Sequence, residues 1–340
     1  MRICICGGGN TGHVMAGYLA SLGSCEVHLL TRHPEKWAHE LTIHTPDGTD
    51  IHGRIGRISA NATEVVGSAD MVLLCLPGYS IGSVLTQVAP SLRPGVAVGS
   101  VVSCTGFFDE AQQRLPSDTP LFGFQRVPFV SRLETYGHSA HLLGTRPLMR
   151  IGTKNVADKD SFGRQLSALF RIPVEVLSSH YEASISNSNP ILHPARLYSM
   201  WKDWKPGTTY ARNSAFYAEW TDEASTLYIA MDHELHELIK ALPVSDNCLP
   251  TVLDYYESHD APSLTCKLRS IAAFRNIMSP MRQTAEGFVP DTTSRYFSED
   301  FPYGLDIIRR LAAAHHIPTP TMDMIAQWGR TMIQYATDTP

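Results

Sequence analysis

Ile3-Cys4-Ile5-Cys6-Gly7-Gly8-Gly9-Asn10-Thr11-Gly12 is the stretch on which the reading of the fold turns. Its first four residues are apolar and form a short buried strand. They run straight into glycines at 7, 9 and 12, spaced GxGxxG. A helical pattern with Val14, Leu19 and Leu22 apolar follows from Thr11. A strand, this glycine spacing and a helix in immediate succession make a dinucleotide-binding turn. Gly7 permits the tight turn, Gly9 lets the backbone approach a pyrophosphate, and Gly12 lets helix and strand pack closely. The helix N-terminus adds free N–H groups and a partial positive charge. Gly7, Gly9, Asn10, Thr11 and Gly12 are therefore the expected cofactor contacts.

Outward from this turn, strand and helix periods alternate. Glu26 to Leu30 is a second strand, and apolar runs follow at Met71 to Leu76, Val96 to Val102, Leu121 to Phe124 and Leu148 to Ile151. Such alternation predicts a mostly parallel sheet covered by helices on both faces. Thr45-Pro46-Asp47-Gly48, between two short extended runs, predicts a hairpin. After about residue 178 the period becomes helical. Segments at 195–204, 215–242, 264–278, 305–316 and 321–336 repeat apolar residues every three or four positions, and no strand is expected among them. The expected organisation is a Rossmann-type α/β domain over residues 1–178 and an all-α domain over 179–340.

Composition fits this division. The chain has 340 residues, and 43 % of them are hydrophobic, enough for two packed cores. Disorder and a membrane-spanning helix are excluded. The 28 basic and 33 acidic residues leave a net charge of -5 without a dense Lys/Arg block, so nucleic acid is not an expected partner. Seven scattered cysteines without a CxxC pair read as reduced core thiols, which, with no secretory leader, places the protein in the cytoplasm. No metal site is expected: His233 and His236 are three apart, and a solvated helix face with Leu235 and Leu238 inward accounts for that segment. Trp201 and Trp204 read as core or interface residues.

The second strand ends Leu30-Thr31-Arg32-His33, with no Asp or Glu to accept the ribose 2′-hydroxyl. Thr31 can donate a hydrogen bond and Arg32 can pair with a 2′-phosphate. NADP(H) is therefore favoured over NAD(H). Pro77, after the strand at Met71 to Leu76, shapes a loop at the carboxyl edge of the sheet, where ligands bind in such folds.

Two segments of the helical half carry candidate chemistry. In Asn189-Pro190-Ile191-Leu192-His193-Pro194, Asn189 reads as an N-cap and Pro190 as the first helical residue. Pro194 then lacks the N–H that should meet the carbonyl of Pro190, so a kink is expected around His193. Histidine is the commonest general acid/base. In Ser294 to Leu305, Arg295 could bind a carboxylate bidentately, and a carboxylate could orient a histidine. Helix capping by Ser298 or Asp300 ahead of Pro302 is the plainer alternative.

Taken together, Gly7 to Gly12, Asn189-Pro190 with His193-Pro194, and Arg295 with Glu299-Asp300 and Pro302-Tyr303-Gly304 resemble the octopine/nopaline (opine) dehydrogenase family. Val127-Pro128-Phe129 with Arg132 is similar to a further family segment. The resemblance implies a Rossmann domain followed by a helical domain of the 6-phosphogluconate-dehydrogenase C-terminal type. It implies NAD(P)H-dependent condensation of a 2-oxo acid, such as pyruvate, with the amino group of an amino acid. His193 and Asp300 would be the catalytic pair, Arg295 the holder of the 2-oxo acid carboxylate, and Gln125 a polar contact to the keto acid. Expected partners are these small molecules, with neither nucleic acid nor membrane, and a homodimer is the candidate assembly. The chain is shorter than the best-known animal members, which leaves the amino donor open. A ketopantoate-reductase-like 2-oxo acid reductase and a non-catalytic NADP-binding regulatory protein are the competing readings. The first of these uses a lysine at the start of the helical domain, where this chain has none before Lys202.

Overall fold

A computed structural model describes residues 1–104 and 106–337. The chain divides into two compact units, Met1–Ser186 and Asn187–Pro340. The first unit opens with β1 (Arg2–Cys6), α1 (Asn10–Ser21) and β2 (Glu26–Leu30), then β3 (Glu40–His44), β4 (Asp50–Arg54), β5 (Arg57–Ser59) and α2 (Ala62–Val66). It continues through β6 (Met71–Leu74), α3 (Gly78–Val88), β7 (Ala97–Ser100), α4 (Phe107–Arg114) and β8 (Leu121–Phe124). It closes with β9 (Phe129–Thr135), β10 (Ser139–Thr145), β11 (Met149–Lys154), α5 (Lys159–Phe170), β12 (Val174–Val176) and α6 (His180–Ile185).

The main sheet has the order β12-β11-β8-β7-β6-β1-β2-β5. From β5 to β8 every pair is parallel, in the doubly wound order in which β1 and β6 flank the point where the chain reverses direction across the sheet. Strand β11 then runs antiparallel to β8. The central strands are buried on both faces, which is why their sequences are continuous apolar runs. One core, including Ile3, Ile5, Val14 and Leu73, lies on the α1 side; the other, including Cys4, Val72, Ile81 and Leu85, lies on the α3 side.

The expected hairpin forms as β3–β4, with Thr45 and Gly48 in its turn. Between Phe124 and Leu148, where no strand is expected, the chain forms the antiparallel pair β9–β10. This pair joins β3 and β4 in a four-stranded sheet, order β4-β3-β10-β9, laid over α1. The packing is close: a Cβ on Gly17 would lie 2.5 Å from Ile43, and one on Gly53 would lie 2.1 Å from the carbonyl of Gly17. The period-2 pattern of β9–β10 is blurred because Val130 and Leu143 put apolar side chains on the exposed face. Helix α6 belongs to the first unit, so the division falls after Ser186, beyond the compositional change at 178. Gly152 of β11 admits that helix, since a Cβ there would lie 2.6 Å from the Cα of His180.

The second unit comprises α7 (Asn189–Trp201), α8 (Asp222–Ala241), α9 (Val252–Tyr255), α10 (Ala261–Ser270), β13 (Met281–Thr284), β14 (Gly287–Pro290), α11 (Arg295–Ser298), α12 (Asp306–Ala314) and α13 (Pro320–Thr337). Helix α8 packs between α7 and α10. A two-stranded hairpin, β13–β14, interrupts the helices where none is expected; Gly287 turns it at φ +138°. The helix expected over 215–242 begins only at Asp222, and residues 215–220 form an irregular aromatic segment. Trp201 is fully buried beside Phe297.

Asp232 and Glu234 depart from the expected solvated face. Leu235 and Leu238 point inward, but both carboxylates are buried as well. Asp232 accepts the N–H of Val252 at the start of α9, and Glu234 accepts those of Thr321 and Met322 at the start of α13. These are orphan helix-terminal donors, and a buried carboxylate is a strong acceptor for them.

Candidate active site

The first unit holds a cavity of about 670 Å³ at the carboxyl ends of β1, β2 and β6. Gly7 turns sharply at φ +120°, and a Cβ there would lie 2.4 Å from the carbonyl of Cys75. A Cβ on Gly12 would lie 2.1 Å from the carbonyl of Gly7, so α1 and the turn are in contact. Gly9, by contrast, faces open space, with nothing within 4 Å of a Cβ placed on it. It begins α1 without a capping side chain and without an acidic residue in the first turn. That leaves backbone donors and the positive end of a helix beside an open space, the physical requirement for a pyrophosphate.

Of the expected cofactor residues, Gly7, Gly9, Thr31, Arg32 and Pro77 line the cavity. Asn10, Thr11 and Gly12 do not. The Asn10 amide oxygen accepts the N–H of Leu133, tying α1 to β9. None of the cavity-lining residues is Asp or Glu, and Arg32 is exposed at its rim. Tyr79 and Tyr136 also line it, and neither was marked by any motif. Behind the turn sits His13, wholly buried, whose Nε2 accepts the N–H of Gly137 and whose Nδ1 therefore donates to the carbonyl of Gly9. Burial lowers its pKa, so it stays neutral.

The second unit brings together residues 107 positions apart. His193 Nδ1 lies 2.7 Å from Asp300 Oδ2. The imidazole is 6 % exposed and stacks on Tyr296, with ring centroids 4.0 Å apart. On its other side Nε2 is 3.2 Å from the hydroxyl of Tyr217, and Phe216 meets the ring edge-on. An ionised Asp300 accepts only, so Nδ1 carries its proton and Nε2 is the nitrogen left to exchange one.

Local sequence explains the placement. Asn189 is the first residue of α7 and Ser188 precedes it as the cap, one position earlier than expected. Pro194 lies inside the helix, as expected. Residues Phe301–Leu305 form one π-helical turn, in which the N–H of Leu305 meets the carbonyl of Asp300. Such turns are frequent at functional sites because they re-aim side chains. Asp300 precedes this turn, yet its carboxylate does not cap it; it goes to His193. Gly304 lets the turn rest on α7: a Cβ there would lie 2.7 Å from the ring of Pro190. The two motif segments are thus in direct contact through Pro190 and Gly304.

Arg295 begins α11, is exposed, and takes part in no ion pair among the described residues, one residue before the tyrosine stacked on His193. Gln125 follows β8 in the first unit, half-buried, its N–H bonded to the carbonyl of Arg150. Tyr217 and Tyr296 are the site residues that sequence reasoning missed. The aromatic run Phe216-Tyr217-Ala218-Glu219-Trp220 was the available sign, and it was absorbed into an expected helix.

Comparison with known proteins agrees with this architecture. Residues 176–333 match the family model for the alpha-helical domain of NAD/NADP octopine/nopaline dehydrogenase, and residues 3–150 match that for ketopantoate reductase PanE/ApbA. The tauropine dehydrogenase of Arabella iricolor is 28 % identical over 97 % of this chain and 91 % of its own. The octopine dehydrogenase of Mizuhopecten yessoensis is 25 % identical over 98 % and 90 %. Among solved structures, an octopine dehydrogenase with NADH and L-arginine superposes with a TM-score of 0.87 at 22 % identity, covering 98 % of this chain and 90 % of that one. A yersinopine dehydrogenase with NADP+ bound gives 0.71 at 14 % identity, covering 97 % and 90 %. The fold is a Rossmann-type domain followed by an α-helical one, and residues 176–333 carry the helical domain of the octopine/nopaline dehydrogenases.

Proposed function

We propose that this protein is an NAD(P)H-dependent opine-type dehydrogenase. It condenses a 2-oxo acid such as pyruvate with the amino group of an amino acid and reduces the product. The observation that carries this reading is the 2.7 Å bond between His193 Nδ1 and Asp300, which commits one imidazole nitrogen and leaves the other for chemistry. The relatives named tauropine and octopine dehydrogenase, and neighbours solved with NADH, pyruvate and L-arginine, support the same reaction class.

The nicotinamide nucleotide, when bound, supplies the hydride. The chain supplies the rest. The β1–α1 turn holds the pyrophosphate at Gly7 and Gly9; Asn10, Thr11 and Gly12 form the helix start behind it, and Pro77 borders it. Thr31 and Arg32 meet the ribose end. An arginine at the rim of a cavity without carboxylates favours a 2′-phosphate, so NADPH is the preferred donor. Arg295, exposed and without an ion-pair partner among the described residues, holds the 2-oxo acid carboxylate, and Gln125 gives the keto acid a polar contact. His193, oriented by Asp300, delivers a proton to the substrate oxygen and takes it back in the reverse direction. The seven free cysteines suit a reducing compartment, and we place the enzyme in the cytoplasm as a homodimer.

Steady-state assays with NADPH, pyruvate and a panel of amino acids test this. Oxidation of NADPH only when keto acid and amine are both present is the expected result. Oxidation with the keto acid alone would instead support a 2-oxo acid reductase, the reading favoured by the match of residues 3–150 to ketopantoate reductase. Binding of NADPH without oxidation in any mixture would support a non-catalytic role.

A further inference from the structure

We infer that Tyr217 is a further catalytic residue, whose hydroxyl passes the proton between His193 Nε2 and the substrate oxygen. The inference rests on the reading of His193 and Asp300 as the acid/base pair.

The geometry leaves little alternative at Nε2. With Nδ1 bonded to Asp300, Nε2 is the exchangeable nitrogen, and the Tyr217 hydroxyl is already hydrogen-bonded to it at 3.2 Å. Nor is this phenol loose. Its ring stacks on Phe274 at 4.4 Å and on Trp220 at 5.9 Å, and it is 6 % exposed. The backbone on both sides is held by a single side chain. Arg196, 3 % exposed, donates from Nε to the carbonyl of Phe216 at 3.1 Å and from Nη2 to that of Glu219 at 2.7 Å. Arg269 adds a third tether, to the carbonyl of Trp220 at 2.7 Å.

Arg196 stands three residues after His193 on α7, on the neighbouring turn. A guanidinium buried among carbonyls and over the Trp220 ring is costly to desolvate, and burial lowers its pKa to about 10. What it secures is a fixed spacing between the imidazole and the segment bearing Tyr217. A residue so fixed is built to stay on Nε2 while substrate reacts. Burial, together with the facing groups Tyr296, Tyr256 and Asp300, pushes the Tyr217 phenol upward, so its hydroxyl remains protonated. It can give a proton only as it receives one.

The step balances on that basis. In the condensing direction His193 is an imidazolium whose Nε2–H donates to the Tyr217 oxygen. The carbinolamine C–O bond breaks, its oxygen takes the Tyr217 proton and leaves as water, and the nitrogen lone pair forms the C=N bond. The Tyr217 oxygen takes the Nε2 proton, and His193 ends neutral with Nδ1–H still on Asp300. Two protons move in one event, and the step involves no change of oxidation state.

Proton inventories on single-turnover NADPH oxidation, in mixtures of light and heavy water, test the relay in the unmodified full-length enzyme. A bowed plot, from two protons in flight, is expected; a straight line would overturn it. Tyr217→Phe keeps the ring stacking and removes only the hydroxyl. It should lower turnover about 10²-fold, leave NADPH affinity unchanged and straighten the inventory. Turnover within twofold of the parent and an unaltered inventory in Tyr217→Phe, with His193→Ala inactive, would remove Tyr217 while the acid/base pair stands. Activity surviving in His193→Ala would bring down the underlying reading, and the relay with it.

Discussion

The two units build their sites by opposite means. In the first, one contiguous run, Cys6 to Gly12, provides a turn, an open space and a helix end, and most of what it offers a ligand is backbone. In the second, side chains from the 216–220 segment, from α11 and from the turn before α12 converge on one imidazole of α7. A backbone site is written in consecutive letters. A converging site depends on how helices pack, and its members are scattered. Damage should follow the same division, since changes at one site ought to leave the other nearly intact.

The largest expected effect is at the convergence point. His193→Ala should lower turnover by about 10²–10⁴-fold, the usual worth of general acid/base catalysis. NADPH affinity, measured by titration, should not change. Near-normal turnover would remove the catalytic assignment, and a parallel loss of NADPH binding would break the separation between the units. Gly304→Ala presses a methyl group into Pro190 and should cost about 1–3 kcal/mol of stability through overpacking. Because that contact joins the two motif segments, turnover should fall together with the melting temperature. If activity falls with no thermal change, or neither moves, the contact is not what aligns the pair.

The first unit offers an acid-sensitive counterpart. Burial lowers the pKa of His180 to about 4, with Lys154 and Lys159 adding repulsion. Its ring lies against Phe108. The unfolded chain then takes up a proton near pH 6.5 that the folded chain refuses. Stability contributed by the neutral ring is complete above that pH and is lost as pH falls toward 4, by an amount on the order of 2 kcal/mol. His180→Phe has no ring to protonate, so denaturant titrations of parent and variant should diverge toward low pH as only the parent loses stability; parallel curves would contradict the assignment. The smallest effect is at the cavity rim. Arg32→Ala should weaken NADPH by about tenfold, in line with one exposed charge-assisted contact, and leave NADH nearly unchanged. Equal losses for both nucleotides would remove the 2′-phosphate argument.

How much of this was legible beforehand follows from the same contrast. The doubly wound sheet and the β3–β4 hairpin were readable because apolar runs and turn residues are local. His193, Asp300 and their partnership came from motif resemblance; neither spacing nor propensity could bring residues 107 apart into contact. Tyr217 and Arg196 were not legible. Arg196 acts on main-chain carbonyls, which carry no sequence identity, and the Phe216–Trp220 run resembles a helix when only apolar spacing is counted. The strands β9–β10 escaped because exposed Val130 and Leu143 break the apolar alternation, and β13–β14 because their short length leaves too few alternations to read.

Helix α1 is enclosed by two sheets, the main one beneath it and the four-stranded one above, with glycines at the points of closest approach. A helix buried from Gly12 to Gly17 resists fraying one turn at a time. Its amide protons should therefore exchange only when the whole first unit opens, and they should rank among the slowest in the protein. The nucleotide's phosphates would meet a surface already rigid before they arrive, so little ordering entropy should accompany their binding.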